Sequence, residues 1–223
     1  MKATFRIGGV HPHDSKISAN AAIESFPIPE VAYISMGQHL GAPAEPIVAP
    51  GDKVKVGQLI ANANGFISAP VHSSVSGTVK GIETIFDLAG NPCKAVVITV
   101  EGDEWVETID RSDKIEKEIK LEAKEIIEKI KECGVVGLGG ATFPTNVKLS
   151  PPPGKKAEFL IINGAECEPY LTSDYRVLLE MPEQVLIGAQ IMMKALNVTQ
   201  GFIGIEENKP EAIKVMSEKA KAY

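Results

Sequence analysis

The sequence predicts an α+β, multidomain protein: an all-β domain over residues 1–108 and an α/β domain over residues 109–223. Three observations predict it. Pro and Gly recur every few residues up to about residue 108, with short β-branched runs between them and no helical period. A charged segment with apolar residues at helical spacing then opens near residue 113. Beyond it an apolar strand, a long apolar helix, a second strand and a last helix alternate, which is the order of a parallel βαβ unit.

In the first half, Val54–Ile60, Gly77–Ile82 and Lys94–Val100 read as strands. Pro50-Gly51-Asp52 makes a turn, Val54 and Val56 alternate inward, and Gly57-Gln58 makes the next turn. The phrase from Ala49 to Ile60, followed by Ser68-Ala-Pro-Val-His72 and Ser76-Gly-Thr-Val79, resembles the biotinyl/lipoyl-type barrel-sandwich hybrid. Carrier domains of that type attach their cofactor to a lysine at a hairpin tip. The equivalent segment here, Ala61–Pro70, contains no lysine, so the fold is expected without the modification.

The histidines His11, His13, His39 and His72 all fall in this half. His11-Pro-His13 has no carboxylate or cysteine at ligand spacing, so no metal site is expected. The four read as turn or surface residues, or as contacts to a neighbouring domain. Cys93, Cys133 and Cys167 are scattered and odd in number, which supports neither a disulfide framework nor an iron–sulfur motif.

In the second half, apolar residues at Ile115, Ile119, Ala123, Ile126, Ile130 and Cys133 predict a helix over Asp113–Lys131. Asp113 and Glu116 form its capping box and Gly134 its stop. Phe159–Ile162 reads as a strand, and residues 163–178 as irregular. A helix starts around Pro182 with a wide apolar face, Gly201–Ile205 is a strand, and Asn208 with Glu211 caps a last helix. A free pair of parallel strands rarely stands alone, so the chain is expected to stop inside a domain.

Composition narrows the function. The 223 residues are 44% hydrophobic and 23% charged, ordinary for a globular protein. A net charge of −6 without any basic stripe argues against nucleic acid as a partner. No apolar run reaches the roughly 18 residues of a membrane helix, and the N-terminus shows no signal peptide, so cytoplasmic residence is the default expectation.

The chemistry concentrates between Gly134 and Asp174. The helix runs into Gly134-Val-Val-Gly137-Leu-Gly139-Gly140-Ala-Thr-Phe143-Pro-Thr-Asn-Val-Lys148. Glycines let backbone N–H groups approach an anion, and Lys148 adds a mobile positive charge. The loop is neither a Rossmann fingerprint, since a helix and not a strand precedes it, nor a Walker A loop, since Gly-Lys-Ser/Thr is missing. On glycine content alone it is a tight turn; Phe143 and Lys148 tilt it toward a phosphate site. Asn163, Glu166 and Glu168 follow at the carboxyl end of the strand, where open α/β sheets bind ligands.

Together, Gly137-Leu-Gly-Gly-Ala-Thr-Phe-Pro-Thr145 with Lys148, and Asn163-Gly-Ala-Glu-Cys-Glu-Pro169, resemble the flavin- and NADH-binding segments of the flavoprotein subunit of respiratory complex I and its relatives. Gly8-Gly-Val-His-Pro12, Gln38-His-Leu-Gly-Ala-Pro43 and Ser68-Ala-Pro-Val-His72 resemble the RnfC family of the Rnf complex, a membrane-bound, ion-pumping ferredoxin–NAD oxidoreductase. The resemblance covers nearly the whole chain.

It implies an incomplete complex I flavoprotein-like, Rossmann-like domain with FMN and NAD(H) as cofactors. The Gly137, Gly139 and Gly140 backbone would cradle FMN phosphate or NADH, and Lys148 would neutralise the phosphate. Phe143 would pack near the nicotinamide or adenine, Asn163 and Glu166 would line the flavin, and Glu168 would lie near the nicotinamide. Hydride would pass between NAD(H) and flavin, with single electrons passed onward. Leu138 and Ala165 stand where complex I carries an arginine and an aspartate, which removes two polar contacts.

The family's [4Fe–4S] cysteine motifs lie in a later region, so the chain reads as an N-terminal portion that is inactive alone. Its partners would be the other subunits of the membrane complex and, indirectly, ferredoxin, with the chain peripheral on the cytoplasmic face. Two other readings carry different predictions: a related flavoprotein reductase of complex I or cobalamin-reductase type, or a non-catalytic docking module.

Overall fold

The structure, a computed structural model, describes residues 12–87 and 89–223. The Gly8–Val10 phrase and His11 lie outside the described residues. The chain divides into two compact units.

The first unit comprises Phe26–Ala157 with Lys194–Asn197. Its strands are β1 (Val31–Ser35), β2 (Glu45–Pro46), β3 (Lys53–Val54), β4 (Leu59–Asn62), β5 (Val71–His72), β6 (Gly77–Phe86) and β7 (Pro92–Val100). They form two antiparallel sheets, β1-β7-β6-β3 and β2-β4-β5. β7 runs between β1 and β6, and Ala95, Val96, Val97 and Ile98 are all fully buried. Ile34, Met36, Val54, Ile60, Val71, Val79, Val96 and Ile98 make one core, each apolar side chain contributing about 1.5–3 kcal/mol.

The predicted turns close as expected. Gly51 has φ +94° and Asp52 N–H donates to Ala49; Gly57 has φ +82° and Gln58 N–H donates to Lys55. The chain leaving β7 returns to the same sheets, where Trp105 bridges Val56. Arg111 stacks 4.6 Å over the Trp105 ring. Trp105 and Arg111 both donate to Asp103, and these hydrogen bonds hold its carboxyl below the usual range.

The helix expected from Asp113 begins ten residues later, as α1 (Ala123–Glu132). The capping box falls on Glu122 and Glu125, not on Asp113 and Glu116. Ile115 and Ile119 are only half-buried, so the stripe lacks the packing that carries a marginal helix. Lys194 takes the Ile119 carbonyl at 2.8 Å in the non-helical backbone. Gly134 ends α1 as predicted, at φ +65°, with its N–H on Lys131 and that of Val135 on Ile130. The single-turn α2 (Thr145–Lys148) follows the glycine loop.

The second unit comprises Glu158–Met193, Val198–Tyr223 and, of the described N-terminal residues, those through Ser25. β8 (Leu160–Asn163) pairs in parallel with β9 (Gly201–Gly204), and between them run α3 (Ser173–Glu180) and α4 (Pro182–Leu196). α5 (Pro210–Lys219) ends in a 3₁₀ turn, Ala220–Ala222. α3 lies in a stretch read from sequence as irregular. α5 is started by Pro210 in its first turn, with Lys209 and not Asn208 at the cap. Leu178, Leu186, Ala212 and Met216 form this unit's core.

Candidate functional site

The glycine loop is a hairpin-like excursion between α1 and α2. Thr145 N–H donates to Val135, and Gly137 N–H donates to Phe143 at 3.0 Å, which closes the neck. Within the neck, Gly140 has φ +99° and Thr142 has φ +46°. Among the described residues, the N–H groups of Leu138, Gly139, Gly140, Ala141 and Thr142 have no protein acceptor. Side chains added at Gly139 or Gly140 would meet nothing within 4 Å, so the tip is open to a ligand.

Lys148 is exposed at the end of α2, and its ammonium reaches back over the neck. A Cβ at Gly137 would lie 2.8 Å from Lys148 Nζ. Glycine at 137 therefore leaves the space the ammonium occupies. Free N–H groups beside a cation make an anion nest, which fits the phosphate of a flavin nucleotide.

Barrel loops brace this loop within the same unit. Leu40 N–H donates to the Thr142 carbonyl at 3.2 Å. Gly134 packs so closely on Pro70 that a Cβ there would lie 2.3 Å from the Pro70 carbonyl oxygen. His39 is buried: Ala69 N–H donates to its Nε2 at 3.1 Å, and its Nδ1 lies 3.3 Å from the Leu40 carbonyl. With Nε2 accepting, Nδ1 is the ring nitrogen placed to donate to the Leu40 carbonyl. His39 thus ties together two of the phrases that carry the family resemblance. His72 is half-buried, and burial lowers its pKa.

Asn163, Glu166 and Glu168 belong to the second unit. Asn163 Oδ1 accepts the Ala165 N–H at 3.1 Å, a local turn at the end of β8. A side chain at Gly164 would press on the Gly204 carbonyl at 3.0 Å, so glycine permits the close approach to β9. Glu166 is 4% exposed. Its carboxylate accepts the Asp174 N–H at 2.9 Å at the start of α3, a capping contact on orphan N–H groups. Lys209 Nζ lies 3.5 Å from the same carboxylate and 5.0 Å from the Tyr175 ring centre. Glu168 and the free thiol of Cys167 are exposed. Burial, then the Glu166 and Glu168 charges, raise the Asp174 pKa above the usual carboxylate value.

The structure therefore brings Gly137, Gly139, Gly140, Phe143 and Lys148 together in one unit, and Asn163, Glu166 and Glu168 together in the other. Sequence reasoning missed Lys209 and Lys16, which hold the second loop; single lysines with no local pattern gave no signal. The bracing of Thr142 by Leu40 was equally invisible, since it joins residues about a hundred positions apart.

Comparison with known proteins matches both halves. Residues 3–103 match the RnfC barrel sandwich hybrid domain, and residues 130–223 match the Nuo51 FMN-binding domain. The chain is 51% identical over 97% of its length to the C subunit of the proton-translocating ferredoxin:NAD(+) oxidoreductase complex of Clostridium ljungdahlii, covering 47% of that protein. It is 44% identical over 96% of its length to the C subunit of the Na(+)-translocating ferredoxin:NAD(+) oxidoreductase complex of Acetobacterium woodii, covering 48% of it. The C subunit of the ion-translocating oxidoreductase complex of Rhodobacter capsulatus is 41% identical over 94% of this chain, which covers 40% of that protein. The chain thus spans about half the length of the curated relatives it matches, or less.

Proposed function

Because this chain carries, in series, matches to an RnfC barrel sandwich hybrid domain and to a Nuo51 FMN-binding domain, we propose that it belongs to the NAD(H)- and flavin-binding side of an ion-translocating ferredoxin–NAD oxidoreductase. The observation that carries the reading is the nest of free N–H groups from Leu138 to Thr142 beside the Lys148 ammonium, inside the segment that matches an FMN-binding domain.

Each residue's part follows from its position. The backbone N–H groups of Gly139 and Gly140 would donate to the phosphate oxygens of FMN and Lys148 would neutralise their charge, while Gly137, whose own N–H is spent on the Phe143 carbonyl, leaves room for that ammonium. Phe143 packs beside the loop against the nicotinamide or adenine. Asn163, the last residue of β8, and Glu168, in the loop that follows it, would meet ring groups of flavin and nicotinamide. Glu166 shapes that loop from beneath, through its carboxylate on α3 and Lys209. FMN, when bound, supplies the step between two-electron hydride chemistry with NAD(H) and single-electron transfer to [4Fe–4S] centres held elsewhere in the complex.

The barrel strands β1–β7 would serve for docking and bracing, and residues 130–223 for nucleotide binding. Among the described residues no helix is long and apolar enough to cross a membrane. We place the chain as a peripheral subunit on the cytoplasmic face, held there by the other subunits. Its relatives' names include both proton- and Na(+)-translocating complexes; in this proposal the choice of coupling ion lies with the membrane subunits.

A flavin-fluorescence titration of the purified chain, with Lys148→Ala alongside, tests the proposal. Saturable quenching that Lys148→Ala weakens supports it. Quenching that is equal in both proteins would move the flavin away from the glycine loop.

A further inference from the structure

The second unit contains a segment that its sequence neighbours do not announce. Residues 14–23 fall inside the match to the barrel sandwich hybrid domain, yet they pack along the Glu166–Thr172 loop and α3. Contacts recur every few residues. Tyr170 N–H donates to the Asp14 carbonyl at 2.8 Å, Ser18 and Thr172 hydroxyls meet at 2.8 Å, and Arg176 donates to the Ala19 carbonyl at 3.0 Å. Ile23 N–H donates to the Glu180 carboxylate, which is held in turn by Arg176.

Lys16 is the centre of this strap. Its ammonium donates to the carbonyls of Glu166 at 3.0 Å, Glu168 at 2.7 Å and Leu171 at 2.6 Å. An ammonium has three donors, so all three are used on one loop. Carbonyls drawn onto one point fix the loop's curvature and turn the Cys167 and Glu168 side chains to solvent. The two facing segments each hold a non-glycine residue at positive φ, Ser15 at +47° and Tyr170 at +70°. Such backbone persists only where its surroundings over-determine it.

We propose that Lys16 is a positioning residue for the loop from Asn163 to Thr172, and that residues 14–23 are a strap holding this loop in its ligand-ready shape. The link to flavin rests on the function proposed above; the hold on the loop does not. Lys16 touches no ligand in this role. It acts by organising the backbone that presents Asn163 and Glu168.

Hydrogen exchange read by mass spectrometry separates the two ideas. In Lys16→Met, exchange of the amides between Gly164 and Thr172 is expected to rise about tenfold or more, because three charge-assisted bonds are lost, while β8 and β9 keep their rates. Lys16→Arg, which keeps the charge and several donors, is expected to restore part of the protection. Ser18→Ala is a milder second probe of the same strap. Unchanged exchange in Lys16→Met, or a uniform rise across the whole unit, would overturn the positioning role. A matched FMN titration supplies the second arm: Lys16→Met should weaken FMN binding while β8 and β9 keep their exchange rates, so that the loss is not one of global folding. Loop loosening with unchanged FMN affinity would detach Lys16 from the site. Absence of FMN binding by the unaltered chain would sink the flavin reading, and the exchange data would still decide the role of Lys16.

Discussion

Two glycine-to-alanine substitutions, three residues apart, should have opposite consequences. At Gly137 the new methyl would lie 2.8 Å from Lys148 Nζ and 3.8 Å from the Phe143 carbonyl oxygen. The crowding atom is the end of a flexible, exposed side chain, so the ammonium swings out and the backbone stays. The stability change is expected within about 0.5 kcal/mol, as for an ordinary surface substitution. The ammonium, however, leaves the nest. A hydrogen bond to a charged group contributes about 1.5–3 kcal/mol, which is about 10- to 100-fold in affinity.

At Gly134 the methyl would lie 2.3 Å from the Pro70 carbonyl oxygen, with φ at +65°. There the obstacle is backbone and the conformation is left-handed, so the cost appears in folding, about 1–3 kcal/mol or more. The assay is a flavin-fluorescence titration beside urea unfolding for both variants. Gly137→Ala should bind FMN about 10- to 100-fold more weakly at near-native stability, and Gly134→Ala should unfold earlier. Native affinity in Gly137→Ala, or a stability loss there equal to that of Gly134→Ala, would refute the reasoning about Lys148.

Other outcomes follow from the second unit. Glu166→Ala should destabilise it by about 2–4 kcal/mol, because the Lys209 charge stays buried with Glu206, at 3.9 Å, as its remaining ion-pair partner among the described residues and the start of α3 loses its cap; urea unfolding measures this. The raised Asp174 pKa means that the folded state holds this proton more tightly than the unfolded chain. Its contribution is therefore favourable at low pH and is lost as pH rises through the folded pKa. Asp174→Asn should gain stability relative to the natural chain across that rise and show no gain below it, read from unfolding midpoints over a pH series. His39→Phe should lower stability by about 1–3 kcal/mol by leaving the buried Ala69 N–H without its acceptor.

How much of this was legible in the sequence depended on whether the signal was local. Gly134 ended α1 and Pro50-Gly51-Asp52 turned as read, because positive φ and proline geometry act within a few residues. α4 and the β8–β9 pair were legible because long apolar runs leave few alternatives. The helix start at Asp113 was misread: the apolar stripe existed, but Ile115 and Ile119 gain too little burial to hold a helix there. α3 was missed because its capping carboxylate, Glu166, lies outside its own first turn and acts through tertiary contact. The glycine loop was visible as an anion site, whereas its supports, Leu40 and Pro70, became visible only once the chain was folded. Lys16 was unreadable for the same reason, since its partners are about 150 residues away.

The central claim is that the glycine loop receives the phosphate of a flavin nucleotide. Amide NMR of the chain titrated with FMN and, separately, with riboflavin tests it most directly, because riboflavin has the ring without the phosphate. The account predicts that FMN shifts the N–H resonances of Leu138, Gly139, Gly140, Ala141 and Thr142 and that riboflavin leaves them in place. FMN binding that leaves those five amides unmoved, or equal shifts from both ligands, would contradict it.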